Sequence, residues 1–504
     1  MTGPVVLRPG ENCWCLAPAT QMAVIIDAAD YFKHVKAAIL KARRSVLLIG
    51  WDIDTRIVLE REGHDTALPN EIGALLKYVV QRNRRLRIRV LRWDKAFLKM
   101  PLRSMTPLAI LDMLTSRRLT FRLDGHHPAG ACHHQKIIVI DDVLAFCGGI
   151  DVTLNRWDTP AHLDDDQRRA EPGGVIPKSW HDVTTAVAGP AAKALGDLAR
   201  ARWHYATGKH VRPPAALPAI WPAGLVPVFK DIEVAIARTL PAHQLQPEAR
   251  EIEALYLSAI AAARRTIYLE SQYFAGHRIG QAIADRLAEP DGPEIVIINP
   301  FAADGWLDEV VMGAARRLLF EKIRAADRFG RLRFYTPVTV GQAHIYVHAK
   351  VLVIDDVLLR VGSSNVNNRS MGLDSECDLA VEAVAGRADV AAAILDVRDA
   401  LLAEHLAVPV AELRACISAH GSLIGALDGL AASAGKTLLP FEPPEFADAA
   451  LEMARTHALD PDRAEDLSET LTRTLQALSR PQRLGLRVLW RRLRGRFFGW
   501  IDIG

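Results

Sequence analysis

Hydrophobic and polar positions along the chain follow two alternating periods. Amphipathic stretches with helical spacing run directly into short apolar, β-branched stretches, as in residues 37–54 and again in residues 258–274. RIRVLRW (Arg87–Trp93) and EIVIINP (Glu294–Pro300) are further short apolar runs of the kind expected for strands buried on both faces. The pattern predicts helices that alternate with buried strands, which is an α/β fold.

The alternation occurs twice. Ala42-Arg43-Arg44 matches Ala263-Arg264-Arg265, and HHQKIIVIDDVLAFCGGID (residues 133–151) matches VHAKVLVIDDVLLRVGSSN (residues 347–365). The two matches have nearly the same offset along the chain, so the repeat indicates a duplicated unit.

The repeat sets the expected domain boundaries. Residues 1–212 and 213–410 are predicted to form two similar α/β halves, each with a mostly buried sheet flanked by helices, packed about a pseudo-twofold axis. A proline-rich stretch, residues 213–227, is expected to join them. Residues 411–504 have no counterpart in either half, and their helical periodicity predicts a mainly helical appendage.

Both halves carry the pattern His-x-Lys-x4-Asp, followed by six further residues and then by two small residues. The first set is His134, Lys136, Asp141 and Gly148-Gly149, and the second is His348, Lys350, Asp355 and Gly362-Ser363. On a strand, residues two apart point to the same face, so each His and Lys are expected to project together. The Asp pairs that follow are expected to turn the chain into a second strand.

A buried lysine without a partner costs several kcal/mol. The same pair in register in both halves therefore indicates a shared anion instead of two packed core histidines. Two imidazoles and two ammonium groups suit a phosphodiester. The lysines can hold its non-bridging oxygens, one histidine can attack phosphorus, and the other can transfer protons to and from the leaving and attacking oxygens. Because the lysines supply the positive charge, neither a metal site nor a cofactor is expected.

At these residues the chain resembles the phospholipase D superfamily, whose hallmark is this duplicated motif. Further segments resemble its eukaryotic-type, lipid-hydrolysing branch: GWDID (residues 50–54), GGIDVTLNRWDT (148–159), SWHDV (179–183), ESQYF (270–274) and GSSNVNNRSMGLDSE (362–376). The resemblance implies a peripheral lipid-metabolising enzyme whose reaction passes through a phosphohistidine intermediate.

The resemblance also implies roles for single residues. The motif residues His134, Lys136, Asp141, His348, Lys350 and Asp355 carry over as catalytic, although the position of the two aspartates favours a turn or salt-bridge role over proton transfer. Asn365, with Gly149 and Ser363, carries over to the phosphate site, and Glu376 and Asp158 are expected to orient the histidines.

Three finer expectations accompany these roles. Asp151 stands where the second half has Asn365, and it is expected to turn away or to bond elsewhere because a carboxylate near a phosphate is unfavourable. His133 is interpreted as a packed neighbour. The family favours His134 as the nucleophile and His348 as the general acid and base, an order that two nearly symmetric motifs do not establish.

Composition narrows the classes of function. Lys plus Arg number 62 against 59 Asp plus Glu, so the formal net charge is only +3, and no nucleic-acid partner is expected. The six cysteines have no metal-site spacing and are interpreted as reduced thiols. The N-terminal residues do not resemble a signal peptide and no apolar run is long enough to span a membrane, so the expected location is cytoplasmic, either free or peripheral at the inner membrane surface.

The last part of the chain carries a separate signal. In residues 480–500, an apolar stripe with helical spacing is interleaved with arginines. That pattern is typical of an interfacial helix attracted to anionic lipid, and it equally fits a terminal helix packed on its own protein.

The predicted function is a phosphodiesterase of the phospholipase D type, which hydrolyses glycerophospholipids or exchanges their headgroups, with water or an alcohol as acceptor. The alternatives are a phosphatidyltransferase similar to cardiolipin synthase, a nucleic-acid phosphodiesterase, and a scaffold protein with a relict site. The intact motifs argue against a relict site. A nuclease is disfavoured because the small nucleases of this superfamily typically carry one motif and dimerise.

Overall fold

The computed structural model describes residues 5–94, 117–303, 312–431, 435–456 and 460–463. The described part is a mixed α/β protein built on one large sheet with helices on its faces. The expected fold class is confirmed.

The first half places helices between strands as the hydrophobic pattern predicts. Its elements are β1 (Cys15–Ile26), α1 (Ala28–Leu40), β2 (Ser45–Gly50), α2 (Ile72–Arg82), β3 (Arg87–Trp93), β4 (Leu119–Asp124), β5 (Ile137–Ile140), β6 (Leu144–Gly148), β7 (Trp180–His181), β8 (Val183–Ala188) and α3 (Pro190–Thr207). A short 3-10 turn, Gln167–Arg169, precedes β7.

The second half repeats this order. Its elements are β9 (Phe229–Leu240), β10 (Ala249–Arg250), α4 (Glu251–Ala262), β11 (Thr266–Glu270), α5 (His277–Ala288), β12 (Glu294–Ile298), α6 (Ala314–Ala326), β13 (Leu332–Val338), β14 (Tyr346–Val347), β15 (Val351–Ile354), β16 (Leu358–Gly362), β17 (Glu376–Glu382) and α7 (Ala388–Leu406). A π-helical turn, Arg369–Leu373, lies between β16 and β17.

The strand order shows the duplication directly. From the centre outward, the first half runs β1-β8-β6-β5-β2-β3-β4 and the second runs β9-β17-β16-β15-β11-β12-β13. The two series correspond strand by strand. They are joined by the antiparallel pairing of β1 with β9, from Cys15 opposite Ile236 to Met22 opposite Phe229. The two predicted sheets therefore merge edge to edge into one.

The core follows from this architecture. The central strands β5, β15 and β16 are buried at every position. Helices cover both faces, and their apolar sides fill three clusters of buried side chains. In a sheet covered on both faces, the side chains on each face of a strand are buried. The strand sequences are therefore continuously apolar.

One detail of the repeated motif differs from the sequence-based expectation. The His and Lys do not lie on the strand: residues 134–136 and 348–350 belong to no strand and directly precede β5 and β15. The Asp pairs do form the predicted turns, in which Asp141, Asp142 and Asp355 have positive φ angles of 55°, 59° and 50°.

The proline-rich residues 213–227 contain no helix or strand. The part of the appendage that is described consists of α8 (Val410–His420), α9 (Leu423–Ala431), β18 (Thr437–Pro440) and α10 (Asp448–Arg455). β18 extends the sheet of the second half by pairing with β13. The predicted amphipathic segment, residues 480–500, lies outside the described residues. Within the described residues, every helix is too short or too polar to cross a bilayer.

Candidate active site

Each histidine motif is held against a strand end of the opposite half. Tyr346 and Val347 of β14 pair in parallel with Trp180 and His181 of β7, and the His348 amide then donates to the His181 carbonyl at 2.7 Å. The arrangement is repeated in the other direction, where the His134 amide donates to the carbonyl of Ser375 at 2.9 Å. These backbone contacts place His134 beside Glu376, the first residue of β17. They place His348 beside Asp182, the residue that precedes β8.

His134 is oriented by a carboxylate of the second half. Its Nδ1 lies 3.0 Å from both oxygens of Glu376, which also accepts from Ser363 Oγ at 2.6 Å and from Ser370 Oγ at 2.8 Å. With Nδ1 donating to this carboxylate, Nε2 keeps its lone pair and is free to react. The placement of Glu376 beside the histidine agrees with the sequence-based expectation, whereas Ser363, expected at the phosphate site, donates to this carboxylate.

His348 is oriented by Asp182 of the first half, not by Asp158. Its Nδ1 lies 2.6 Å from Asp182 Oδ2, while Asp182 Oδ1 accepts from the Val183 amide at 2.8 Å. Asp158 instead contacts His162 Nδ1 and the Trp180 amide, both at 2.9 Å. The prediction for Asp158 was wrong because the sheet register presents the residue before β8 to His348.

A signal for Asp182 was present in the sequence. Asp182 immediately precedes β8, and Glu376 is the first residue of β17, the corresponding strand of the second half. Asp182 also lies in the SWHDV segment. Aligning the two halves beyond the repeated motif would therefore have paired these acids.

The two lysines have unequal surroundings. Lys136 Nζ donates to the His134 carbonyl at 2.9 Å and lies 3.1 Å from Asp151 Oδ2. Lys350 is fully buried, donates to the His348 carbonyl, and lies 3.4 Å from the Gln272 side-chain oxygen. Among the described residues, Lys136 has a carboxylate within ion-pair distance and Lys350 has none.

Asp151 does not turn away, but it is bonded to other groups of the protein, which was the second of the two alternatives expected from the sequence. Its Oδ2 faces Lys136, and its Oδ1 accepts from the amides of Trp51 and Asp52 at 3.1 and 3.3 Å. The lysine and the two amides compensate the carboxylate, so it remains inside the site. The corresponding Asn365 is 4% exposed, and its side-chain oxygen has no hydrogen-bond partner among the described residues.

Asp141 and Asp355 do not belong to the catalytic group, and counting them there was wrong. Each lies at the far end of its strand from the His and Lys. Asp141 accepts three backbone amides, from residues 43–45, at 2.6–2.7 Å, and Asp355 accepts three, from residues 264–266, at 2.6–2.9 Å. Both carboxylates fix the turn that begins the neighbouring strand, which agrees with the turn role considered from the sequence.

Gly149 has a steric role. A Cβ atom at this position would lie 2.1 Å from Asp182 Oδ1, so only glycine leaves room for that carboxylate.

Sequence reasoning did not identify Arg156, whose guanidinium lies 4.0 Å from the Trp180 ring centroid. The same Trp180 ring lies 5.1 Å from the ring of His348. His133 is a packed neighbour as expected, with Nδ1 2.8 Å from Ser375 Oγ.

Burial and clustered positive charge dominate the electrostatics. Burial lowers the pKa of His134 well below its usual range, and Lys136 and Lys350 lower it further. Burial likewise lowers the pKa of His348, with Lys350 and then Arg156 adding to the effect. Burial lowers the pKa of Lys350 to about 7. The pocket is thus unfavourable for further cations and favourable for an anion.

The fold and this site define a class: duplicated α/β proteins whose halves each contribute a His-Lys pair to one anion site. A sequence model described as "Cardiolipin synthase, PLD-like domain" matches residues 256–394. The chain is 25% identical to phospholipase D1 of Schizosaccharomyces pombe over 470 residues, covering 73% of this chain and 34% of the relative. It is also 28% identical to cardiolipin synthase A of Pseudomonas putida, covering 49% of this chain and 43% of the relative.

Comparison with solved structures supports the same fold. The crystal structure of phosphatidylserine synthase from Haemophilus influenzae superposes with a TM-score of 0.53 at 15% identity, covering 76% of this chain and 88% of that one. The PLD-like domain and the relatives named phospholipase D support membership of the phospholipase D superfamily. The chain spans only about a third of the length of the fission-yeast relative.

Proposed function

We propose that this chain is a phosphodiesterase of the phospholipase D type, acting on glycerophospholipids by hydrolysis or by exchange of the headgroup. The observation that carries the proposal is the pair of His-Lys motifs, each of whose histidines donates Nδ1–H to a carboxylate of the opposite half. This pairing frees Nε2 of both rings for chemistry at one bound phosphodiester.

In the proposed first step, His134 Nε2 attacks phosphorus while the bond from phosphorus to the headgroup oxygen breaks. His348, protonated at Nε2, gives its proton to that oxygen. In the second step, His348 takes a proton from water or an alcohol, whose oxygen attacks phosphorus and releases His134. Lys136 and Lys350 hold the non-bridging oxygens and stabilise the charge that develops on them.

Substrate binding accounts for the required protonation states. Positive charge from the lysines helps keep His134 neutral, as a nucleophile must be. A phosphodiester between the lysines brings a negative charge that opposes their effect, so the pKa of His348 rises on binding. His348, the proposed general acid, is then protonated when substrate is bound.

The substrate class is supported by the named relatives. The names phospholipase D and cardiolipin synthase, together with the fold of a phosphatidylserine synthase, point to a glycerophospholipid. A phosphatidyltransferase similar to cardiolipin synthase is the second candidate, favoured by the match over residues 256–394. The two candidates share the first step and differ in the acceptor.

Trapping the covalent intermediate tests the mechanism. Rapid quench of wild type in alkaline denaturant, with substrate labelled in the phosphate, is expected to leave label on His134, because the P–N bond of a phosphohistidine is stable to base and labile to acid. His134→Ala and His348→Ala should each lower turnover by orders of magnitude, because both groups act in both steps. Asp356→Asn, at a half-exposed turn position, is the matched control and should retain wild-type turnover. Near-wild-type turnover in either histidine variant would refute the site assignment.

A substrate panel tests the class of reaction. Phospholipids of several headgroups are incubated with and without a primary alcohol, and the products are separated. Release of phosphatidic acid that gives way to phosphatidyl alcohol supports the phospholipase assignment. Cardiolipin formation from phosphatidylglycerol supports the transferase, and activity confined to nucleic acid would contradict both.

A further inference from the structure

A second cluster of buried ionisable side chains lies behind His348 and is not used by the proposed reaction. It contains Asp27, His162, His181 and Glu404, whose possible ligand atoms all lie within 4.8 Å of one another. The side chains of Asp27 and both histidines are fully buried, and that of Glu404 is 7% exposed. The four residues come from the start of α1, the loop before β7, β7 itself and α7.

Both histidines in this cluster use one ring nitrogen to contact a carboxylate outside the group of four. His162 Nδ1 lies 2.9 Å from Asp158 Oδ2, and His181 Nε2 lies 2.9 Å from Glu270 Oε2. A proton on these nitrogens leaves a lone pair on His162 Nε2 and on His181 Nδ1. Metal-binding histidines are oriented in this way, by a carboxylate that accepts from the other ring nitrogen.

The two remaining nitrogens face carboxylate oxygens without forming hydrogen bonds. His162 Nε2 lies 3.4 Å from Asp27 Oδ2 and 3.1 Å from Glu404 Oε1, and His181 Nδ1 lies 3.2 Å from Asp27 Oδ1 and 3.1 Å from Glu404 Oε2. Four of these atoms have no hydrogen-bond partner within the described part of the chain: Asp27 Oδ2, His162 Nε2, His181 Nδ1 and Glu404 Oε2.

Buried polar atoms are rarely left without partners, and here four converge. Their spacing suggests what would satisfy them. A tetrahedron with metal–ligand bonds of about 2.1 Å has edges of about 3.4 Å, close to the measured contacts. A cation at the centre would replace repulsion between lone pairs by four coordinate bonds.

The charges of the cluster indicate the same occupant. Four carboxylates take part, those of Asp27, Asp158, Glu270 and Glu404. Two fixed cations contact them, since Lys436 Nζ lies 2.6 Å from Glu404 and an Arg169 nitrogen lies 3.4 Å from Asp158. With neutral imidazoles, two negative charges remain in excess. Burial alone would lower the pKa of both histidines, but the carboxylates raise the pKa of His162 to about 9 and raise that of His181, so two protons balance the charge when no metal is bound. A divalent ion that displaces these two protons balances the same charge.

We propose that Asp27, His162, His181 and Glu404 bind a divalent transition-metal ion, with zinc as the best fit to four nitrogen and oxygen ligands. All four positions are protein ligands, which is typical of a structural site and not of a catalytic one. The ion would fix His181, whose carbonyl accepts from the His348 amide and whose neighbour Asp182 orients the His348 ring.

This proposal departs from the expectation that the chain holds no metal site. The ligands lie at positions 27, 162, 181 and 404, so no local spacing reveals them. The structure also provides a route from solvent, because Glu404 and Lys436 line a surface pocket whose walls include Pro160, Ala403 and Ala407.

Metal binding by the full-length chain tests the proposal. Untagged protein is stripped with dipicolinate, incubated with zinc chloride and gel-filtered, and its zinc and protein contents are measured. One zinc per chain is expected. X-ray absorption should show only nitrogen and oxygen scatterers, including two imidazoles, and the cobalt-substituted protein should show the visible bands of a tetrahedral site. Failure of folded wild type to take up a stoichiometric ion, or a sulfur scatterer, would overturn the proposal.

Variants locate the ion. His162→Gln and Asp27→Asn should abolish stoichiometric zinc binding. Asp158→Asn, which alters only the partner of a ligand, should weaken zinc affinity by about 10–100-fold. The control is His34→Gln in α1, which removes a buried histidine outside the cluster and should retain one zinc. Full zinc binding by folded His162→Gln would show that the site is elsewhere. If the variants do not fold, the wild-type absorption spectrum decides.

Discussion

At the scale of single residues, the reactive histidines depend on carboxylates that are remote in sequence. Glu376 contacts His134 across 242 residues, and Asp182 contacts His348 across 166. Each carboxylate fixes the tautomer and direction of its ring, so Nε2 points to the anion site. The chemistry of either half therefore requires the other half to be in place.

The first prediction concerns Asp182. Asp182→Asn is nearly isosteric, but its amide can no longer hold the Nδ1–H tautomer of His348 as a carboxylate does. We expect turnover to fall by about 10²–10⁴-fold, the usual contribution of a positioned general acid and base. The measurement is kcat on a short-chain monomeric phospholipid, with the half-exposed Asp356→Asn as control. Retention of kcat by folded Asp182→Asn would show that another residue orients His348.

The second prediction concerns pH. His134 must be neutral to attack phosphorus, so activity is lost as pH falls through its pKa. Because burial and the two lysines lower that pKa, the acidic limb of kcat/KM should lie below the usual histidine value of about 6.5. The profile is measured with monomeric substrate, and protein returned from each pH to neutral pH is assayed for stability. An acidic limb above pH 6.5 in stable protein would contradict this reading of His134.

At the scale of elements, the strand ends decide which side chains meet. Residues 134–136 and 348–350 directly precede β5 and β15, so the His and Lys lie just before the first residue of each strand. At the other end of the same strands, Asp141 and Asp355 adopt left-handed backbone angles and accept the amides that begin β2 and β11. One short strand thus carries a reactive end and a structural end.

The third prediction separates these two ends. Asp355→Ala leaves three backbone amides without their charged acceptor and places alanine in a left-handed conformation. We expect the free energy of unfolding to fall by roughly 2–4 kcal/mol, while kcat at a permissive temperature stays near wild type. Urea unfolding and initial rates measure the two quantities. Asp355→Asn, which tolerates the backbone angle, should lose less stability. A loss of kcat without a loss of stability would restore Asp355 to the catalytic group.

At the scale of the whole molecule, the sheet is continuous and the appendage is part of the structure around the site. β18 lengthens the sheet, and Asp460 accepts from the amides of Asn368 and Arg369 at 2.9 and 3.0 Å. These amides begin the turn whose Ser370 donates to Glu376. The appendage thereby supports the carboxylate that orients His134.

The fourth prediction concerns residues 480–504, which lie beyond the described residues. If residues 480–500 form an interfacial helix, deleting 480–504 should weaken binding to anionic vesicles and remove much of its salt dependence. Each basic residue near such a surface is worth about 1 kcal/mol, and salt screens the attraction. Turnover of a monomeric substrate should be retained.

The control for the fourth prediction keeps the length of the chain and replaces the arginines of 480–500 with glutamine, which removes charge alone. It should reproduce the loss of salt dependence. Unchanged vesicle binding by the truncated protein would exclude the membrane role, and loss of activity on monomeric substrate would indicate a helix packed on the catalytic halves.

The sequence by itself determined the α/β class, the duplication and the pair of His-Lys motifs. These follow from local properties: the periodicity of apolar residues sets helices and strands, and residues two apart in an extended segment share a face. It also indicated the turns at Asp141 and Asp355, because Asp pairs between two apolar runs favour a turn into a second strand.

Only the tertiary structure decided which remote groups meet. Asp182, and not the expected Asp158, lies beside His348, and Asp151 lies beside Lys136. Sheet register and strand pairing between the halves fix these neighbours, and no local spacing encodes them. The cluster of Asp27, His162, His181 and Glu404 arises in the same way, from four elements that pack behind β7. Local physics specifies the elements, whereas contacts across the sheet specify the environment of each reactive group.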